Sequence, residues 1–225
     1  MAYRLRMAAA AAAAAVAAAA VAAAERTFKV YRRRQLLLTG ACLPLPLILS
    51  GRARAQTEAN DADYGFCRDM SIHHFQALAM CQRILGRDTG DLVQAAAAEV
   101  LQNQAIEIGH MHAWLADWGQ STVPPTLVMG WMGANGGAGI PLSDMPGYAS
   151  ADELTELSLL TGRERGKRWL ELMRAHHVGG VTMASRAQDL VSSDKVRGLA
   201  SRQVATQTYE IAQYDLLLEG PYASI

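Results

Sequence analysis

This chain has little of what most enzymes and nucleic-acid binders display. Its 225 residues include 3 cysteines, 3 phenylalanines and 7 prolines, and the formal net charge is zero. A balanced charge offers no basic surface, so a nucleic-acid partner is not expected. Charged residues make up only 19% of the chain. Alternating runs of Val, Ile and Thr are nearly absent, which disfavours sheets and leaves helices. There is no G-x-S-x-G, no phosphate-binding loop, no dinucleotide fingerprint and no C-x-x-C. No nucleophile stands beside a base. The usual routes to catalysis are missing, and the chain is expected not to be an enzyme.

The cysteines add little. Cys42 falls in the N-terminal region. Cys67 and Cys81 lie fourteen residues apart on one predicted helix, roughly 21 Å at 1.5 Å per residue. A disulfide needs Cα atoms within about 7 Å, so they cannot pair with each other. They are either core fillers or soft metal donors.

The first 55 residues read as leader rather than fold. Ala8 to Ala24 is a nearly pure alanine run, broken by Val16 and Val21. After it come Arg32-Arg33-Arg34-Gln35-Leu36-Leu37-Leu38, an apolar stretch to Leu49, and Ala53-Arg54-Ala55. A basic segment, an apolar segment and an A-x-A site make an export signal. Its Arg33-Arg34-x-Leu-Leu is twin-arginine-like. Cleavage is expected near Ala55, giving an exported mature chain, periplasmic or extracellular, without a stable membrane span. A signal beginning near Val30 leaves the alanine run either as an unusually long basic-side extension or as residues ahead of the true start.

What the chain does have is a repeat. Phe66-x3-Met70-x2-His73-His74-x2-Ala77-x2-Met80 returns 103 positions later as Trp169-x3-Met173-x2-His176-His177-x2-Gly180-x2-Met183. Downstream, Val93 aligns with Val196, Gln104 with Gln207, Glu107-Ile108 with Glu210-Ile211, and Leu115 with Leu218. A match this long means a duplicated structural unit. All 6 histidines lie within the two copies. Imidazole and thioether donors together suit copper, not calcium or magnesium.

The periodicity predicts an all-α fold: a four-helix bundle built from two helical hairpins. The first hairpin (61–119) has helices over Asp63–Leu85, stopped by Gly86, and Asp91–Trp118, capped by Asp91 and stopped by Gly119. A Gly-, Pro- and Met-rich linker (120–149) follows, long enough to be functional. In the second hairpin (150–220), Ser150-Ala151-Asp152-Glu153 is a capping box opening a short helix to Leu160. Helices over Arg163–Leu190 and from Ser192 or Ser193 to Glu219 complete it. Neither hairpin can bury its apolar stripe alone, so the two should pack with pseudo-twofold symmetry.

On the first helix, Cys67, Met70, His74, Ala77, Cys81 and Ile84 form a core-facing seam at steps of three and four. His74 and His177 therefore point inward, with Phe66, His73 and Met80 on the flank, as are Trp169, His176 and Met183 in the second copy. A buried neutral imidazole must be hydrogen-bonded or ligate something. Glu107 and Glu210 are the natural acceptors, either as a structural network or as carboxylates orienting metal-bound histidines. The second helix adds Met111 on its seam, and His110 one turn after Glu107. Glu107-x2-His110 is formally the E-x-x-H of di-iron bundles. The second copy has Gln213 in place of the histidine, and the first and third helices offer no inward glutamate, so a di-iron oxidase is not expected. Met129, Met132 and Met145 on the linker are further thioethers. Trp114, Trp118 and Trp131 are expected to pack the hairpin end and cover the loop.

Met70, His73, His74, Ala77 and Met80, followed by Gln104, Glu107, Ile108, Met111, Trp114 and Leu115, resemble the family called domain of unknown function 305. The second copy and Met145-Pro146-Gly147 before it match the same layout, so the resemblance spans about Asp61 to Leu218. It implies a ferritin-like four-helix fold in an exported bacterial protein, with copper binding or tolerance attributed to some members through Met and His. Carried over, the candidates are Met70, His73, His74, Met80, Met111, Met173, His176, His177 and Met183, to which His110 is added from spacing. Tyr214 and Tyr148 stand where the family has methionine, and Gly180 where it has alanine. The expected partner is a metal ion, with copper the expected cofactor and a homo-oligomer possible. The rival reading is a structural or interaction module with a His–Glu hydrogen-bonded core and no metal.

Overall fold

The computed structural model describes residues 58–225. The leader, with Cys42 and its cleavage site, lies outside the described residues. Five α-helices follow one another: α1 (Asp61–Ile84), α2 (Asp91–Asp117), α3 (Ala151–Leu159), α4 (Gly162–Leu190) and α5 (Asp194–Glu219). Their ends fall within a few residues of those expected from glycine stops and caps. Gly86 and Gly119 take the left-handed conformation that ends a helix cheaply only for glycine. Ser150 and Glu153 form the expected reciprocal cap of α3.

Two caps differ from expectation. The N-cap of α2 is Gly90, not Asp91, and it makes no side-chain bond. The start of α1 is fixed by Asn60 and Asp63, whose side chains bond each other's backbone N–H. Asp63 also accepts from the backbone N–H groups of Ser192 and Ser193 at the α4–α5 turn. Asn60 donates to the Leu190 carbonyl. The head of α1 is thus tied to the tail of α4, and the two helices run antiparallel.

The closest helix packing is α1 on α2 and α4 on α5, and α1 on α4 joins the two pairs. This makes α1 and α4 central. Each meets its own hairpin partner, the other hairpin and the linker, so more than one seam is buried. On α1 the positions Phe66, Asp69, His73, Gln76 and Met80 are buried beside the expected seam. On α4 so are Trp169, Leu172, His176, Gly179 and Met183. His73 and His176, expected on the flank of the seam, are fully buried with it. Among the described residues no helix is long and apolar enough to cross a membrane.

The linker is not a plain loop. Leu127–Val128 (β1) pairs antiparallel with Ile140–Pro141 (β2), and short 3-10 turns fill the rest. Three devices seat it on the central helices. The buried Asp69 carboxylate accepts from the Met129 backbone at 2.6 Å and from the Trp131 indole at 2.9 Å. Buried Gln76 exchanges two 2.7 Å bonds with the Ala149 backbone. Glycines admit close approach: a Cβ on Gly65 would sit 2.5 Å from the Trp131 ring, and one on Gly179 would overlap the Pro146 carbonyl.

These contacts carry two expectations. Asp69→Ala leaves a buried indole N–H and a backbone N–H without acceptors, at about 1–3 kcal/mol each. Limited proteolysis should then cut within 120–149 at least tenfold faster, and unchanged cleavage would show that Asp69 does not hold the linker. Gly179→Val should unseat Pro146 and lower stability by about 1–3 kcal/mol through overpacking. Denaturant unfolding checks this, with Gly109→Ala as a control because open space surrounds that helical glycine.

Candidate metal centre

The four repeated histidines meet where α1 crosses α4, and all are fully buried. His73 and His176 stack on each other, ring centroids 3.6 Å apart and planes 25° apart. His176 Nε2 lies 2.7 Å from the His73 carbonyl oxygen. A carbonyl only accepts, so His176 carries its proton on Nε2 and keeps a lone pair on Nδ1. That Nδ1 has no hydrogen-bond partner. The His73 ring nitrogens make no well-aligned hydrogen bond, although the backbone at Pro146 and at His176 lies close enough to favour the protonated ring. Burial drives the pKa of both imidazoles well below the ordinary value. The surrounding histidines add to this: His74 and His177 for His73, and His73 and His177 for His176. Both rings are neutral at pH 7, the form that ligates metals.

His74 and His177 turn instead toward their hairpin partners. His74 Nε2 is 2.7 Å from Glu107 Oε2, and His177 Nε2 is 2.7 Å from Glu210 Oε2. The pairing anticipated from sequence is present in both halves with the same geometry. Burial pushes the Glu107 carboxyl up, but hydrogen bonds and charge from His74 and a bond from Gln203 hold it below its usual value. An ionised Glu107 therefore accepts from Nε2–H, and His74 Nδ1 faces away from the carboxylate. His74 Nδ1 and His177 Nδ1 are both buried without partners. A carboxylate that fixes one ring nitrogen and presents the other is the arrangement that orients metal-binding histidines.

The methionines divide unevenly. Met70, Met111 and Met183 share one core cluster with Met129 and Met145 of the linker, and Met132 packs against it. Met80 and Met173 belong to the other cluster, where Tyr214 occupies the place corresponding to Met111. Tyr214 lies beside His177, ring centroids 5.4 Å apart, and beside Trp169 at 5.7 Å. One cluster of the core thus holds five buried methionines and the other two. Met129 and Met145 reach this cluster because the linker is seated by the Asp69 anchor and by the Pro146 contact with Gly179.

His110 does not join this centre. It is exposed on the outer face of α2, stacked beside Trp114 at 6.0 Å. Cys67 and Cys81 are unpaired and fully buried. Burial raises both thiols, Cys81 to about 12. Neutral thiols in separate clusters fit the filler role. Trp131 covers the linker end against Phe66, and Trp118 packs against Tyr64.

Among the described residues no group of three or more His, Cys, Asp or Glu is placed to hold a metal ion. The donors that remain are imidazole nitrogens and thioethers, a soft set. They fit copper(I) better than iron or zinc. The stacked His73 and His176 rings lie in nearly parallel planes, so one ion cannot lie in the plane of both as they stand.

These features define an all-helical protein with a buried histidine and methionine core. The chain belongs to the family Domain of unknown function (DUF305), which matches residues 63–218. A DUF305 protein of Streptomyces coelicolor described as secreted is 36% identical, covering 70% of this chain and 91% of its own, with a TM-score of 0.63. A DUF305 fragment from Deinococcus radiodurans is 28% identical, covering 72% and 97%, with a TM-score of 0.60. CopM in its Cu(I)-bound form is 19% identical, covering 71% and 97%, with a TM-score of 0.55. CopM structures with Cu(II) and silver share the same fold. No curated protein matches the chain.

Proposed function

We propose that the protein is exported and binds copper, chiefly as Cu(I), through the repeated His and Met side chains, to sequester the ion or pass it on. In this reading its two hairpins are duplicated copies in a ferritin-like four-helix bundle. The observation that carries it is a core that holds both the thioether-rich cluster of Met70, Met111, Met183, Met129 and Met145 and buried imidazole nitrogens without hydrogen-bond partners. Unsatisfied buried polar atoms are costly, and binding a soft ion would satisfy them. His73 and His176 would supply nitrogen, the methionines sulfur, and Glu107 and Glu210 would orient His74 and His177. Met80 and Met173, beside Tyr214, make a poorer second half-site. The bound ion would supply no reaction; it is cargo. That CopM was solved with Cu(I) and silver is consistent with this, although at such low identity the likeness speaks for the fold alone.

Met→Leu substitution tests the reading, because it removes sulfur while nearly conserving volume. Titration of Cu(I) against a chromophoric chelator should find tight binding by the wild type. Met70→Leu/Met111→Leu/Met183→Leu should weaken it at least a hundredfold, and Met80→Leu/Met173→Leu less. Equal binding by all three proteins would remove the thioethers from the site.

A second reading has its own support. The two 2.7 Å His–Glu bonds stitch each hairpin without any metal. In that case the histidine core is structural, and copper leaves both affinity and stability unmoved.

A further inference from the structure

The end of the linker crosses the central helices at the level of the stacked histidines. On α4 this strap rests directly on backbone. A Cβ on Gly147 would lie 2.6 Å from His176 Cα, and one on Gly179 would lie 2.0 Å from the Pro146 carbonyl oxygen. On α1 the strap is held by the two bonds between Gln76 and the Ala149 backbone. Gln76 and Gly179 occupy the same position of the repeat, three residues after His73 and His176. There, one hairpin bonds the strap and the other makes room for it.

Gly180 makes room in turn for the His73 ring: a Cβ there would lie 3.1 Å from His73 Cε1. Glycine is a poor helix former, so two in the middle of α4 need a packing reason. Here, adjacent residues of one helix face the Pro146 carbonyl and the His73 ring. A neutral imidazole has one N–H to donate, and backbone at Pro146 and at His176 lies near the ring. The His176 carbonyl is inside α4, where it accepts from the N–H four residues on. Pro146 lies outside every helix and strand, and among the described residues no backbone N–H donates to its carbonyl. A carbonyl pressed against a helix without a donor has the greater need of one.

We propose that the Pro146 carbonyl is the acceptor of the His73 ring N–H, so that the linker, not the helices, selects which nitrogen of His73 keeps its lone pair. The two groups are not aligned for a hydrogen bond as they stand; turning the ring about its broad second torsion closes it. His176 is set differently, by the His73 carbonyl on α1. The repeat therefore leaves the two stacked rings inequivalent. Pro146 acts as a positioning residue. Its consequence for copper rests on the proposed function: the nitrogen that Pro146 leaves free is the one offered to the ion.

The test is the nitrogen NMR spectrum of the histidine rings in the copper-free, isotope-labelled chain. His73 is assigned by the loss of its signals in His73→Gln, and long-range couplings to the ring protons separate the two neutral tautomers. Wild-type His73 is expected as a single tautomer. Gly179→Ala pushes the Pro146 oxygen away, and Gln76→Leu frees the other end of the strap. Each should turn His73 into a mixture while His176 keeps its pattern, and either variant that folds suffices. Gln207→Leu removes the other oxygen facing Gly180 and should change nothing. A mixture in the wild type, a single tautomer that survives the strap variants, or one lost in Gln207→Leu would overturn the proposal. Copper takes no part in this spectrum, so failure here leaves the copper reading untouched, and failure of copper binding leaves the tautomer standing.

Discussion

Stability should fall steeply as pH drops below about 6.5, and His73 and His176 should be the cause. Both are neutral in the folded chain, with pKa held well below the ordinary 6.5 by burial. In the unfolded chain they titrate normally. Below 6.5 the unfolded state therefore binds protons that the folded state refuses, and the stability they confer above that pH is lost as pH falls toward their folded values. The loss grows with every pH unit between 6.5 and the folded values of the two rings. Asp69 works in the opposite direction. Burial raises its carboxyl to about 6, against hydrogen bonds from Met129 and Trp131 and the charge of Arg68. The folded state thus gains a proton first, contributing roughly 2 kcal/mol of relative stability by pH 4.5. Two histidines oppose one carboxyl, and a net loss of stability is expected. Urea unfolding at pH 7.0 and pH 4.5 measures it. His73→Gln/His176→Gln should flatten the dependence or reverse its sign. A wild-type curve that is flat from pH 7.0 to 4.5 would mean these rings are not held neutral.

The second large effect is stabilisation by Cu(I). A ligand that binds only the folded state adds about 4 kcal/mol at a thousandfold excess over Kd. For a chain of this size that is on the order of 10 °C in Tm. Removing His73 and His176 should abolish the increment even where the variant is itself stable. Removing the carboxylates instead, with Glu107→Gln/Glu210→Gln, should keep part of it, because a glutamine can still accept from Nε2–H while losing the charge that raises ligand basicity. If copper leaves the melting curve of every variant and of the wild type where it was, the His–Glu network is the whole of the story.

How much of this could be read from the chain depended on periodicity. The ends of α1 to α5 followed from glycines and caps, and the His74–Glu107 and His177–Glu210 pairs from the repeat, because both are local or hairpin-local. The stack of His73 on His176 was not legible, since it depends on where α1 crosses α4. A trace of it was nevertheless present. Phe66, Asp69, His73, Gln76 and Met80 run at steps of three and four, a second seam beside the first. Its polar members, Asp69, His73 and Gln76, interrupt the apolar pattern that marks a seam. Asp69 and Gln76 are polar because they bond linker backbone, and no propensity argument anticipates that. The uneven split of methionines between the two ends likewise depends on the antiparallel packing, which brings Met70 to Met183's end and Met80 to Met173's.

Metal content measured by mass spectrometry on protein purified from copper-fed cells tests the central claim most directly, with His73→Ala/His176→Ala and His74→Ala/His177→Ala variants that remain folded purified alongside. The expected result is one or two copper ions per wild-type chain, lost from the first variant and reduced in the second. Copper-free wild-type protein, with the variants differing from it only in stability, would contradict the claim and make these histidines structural.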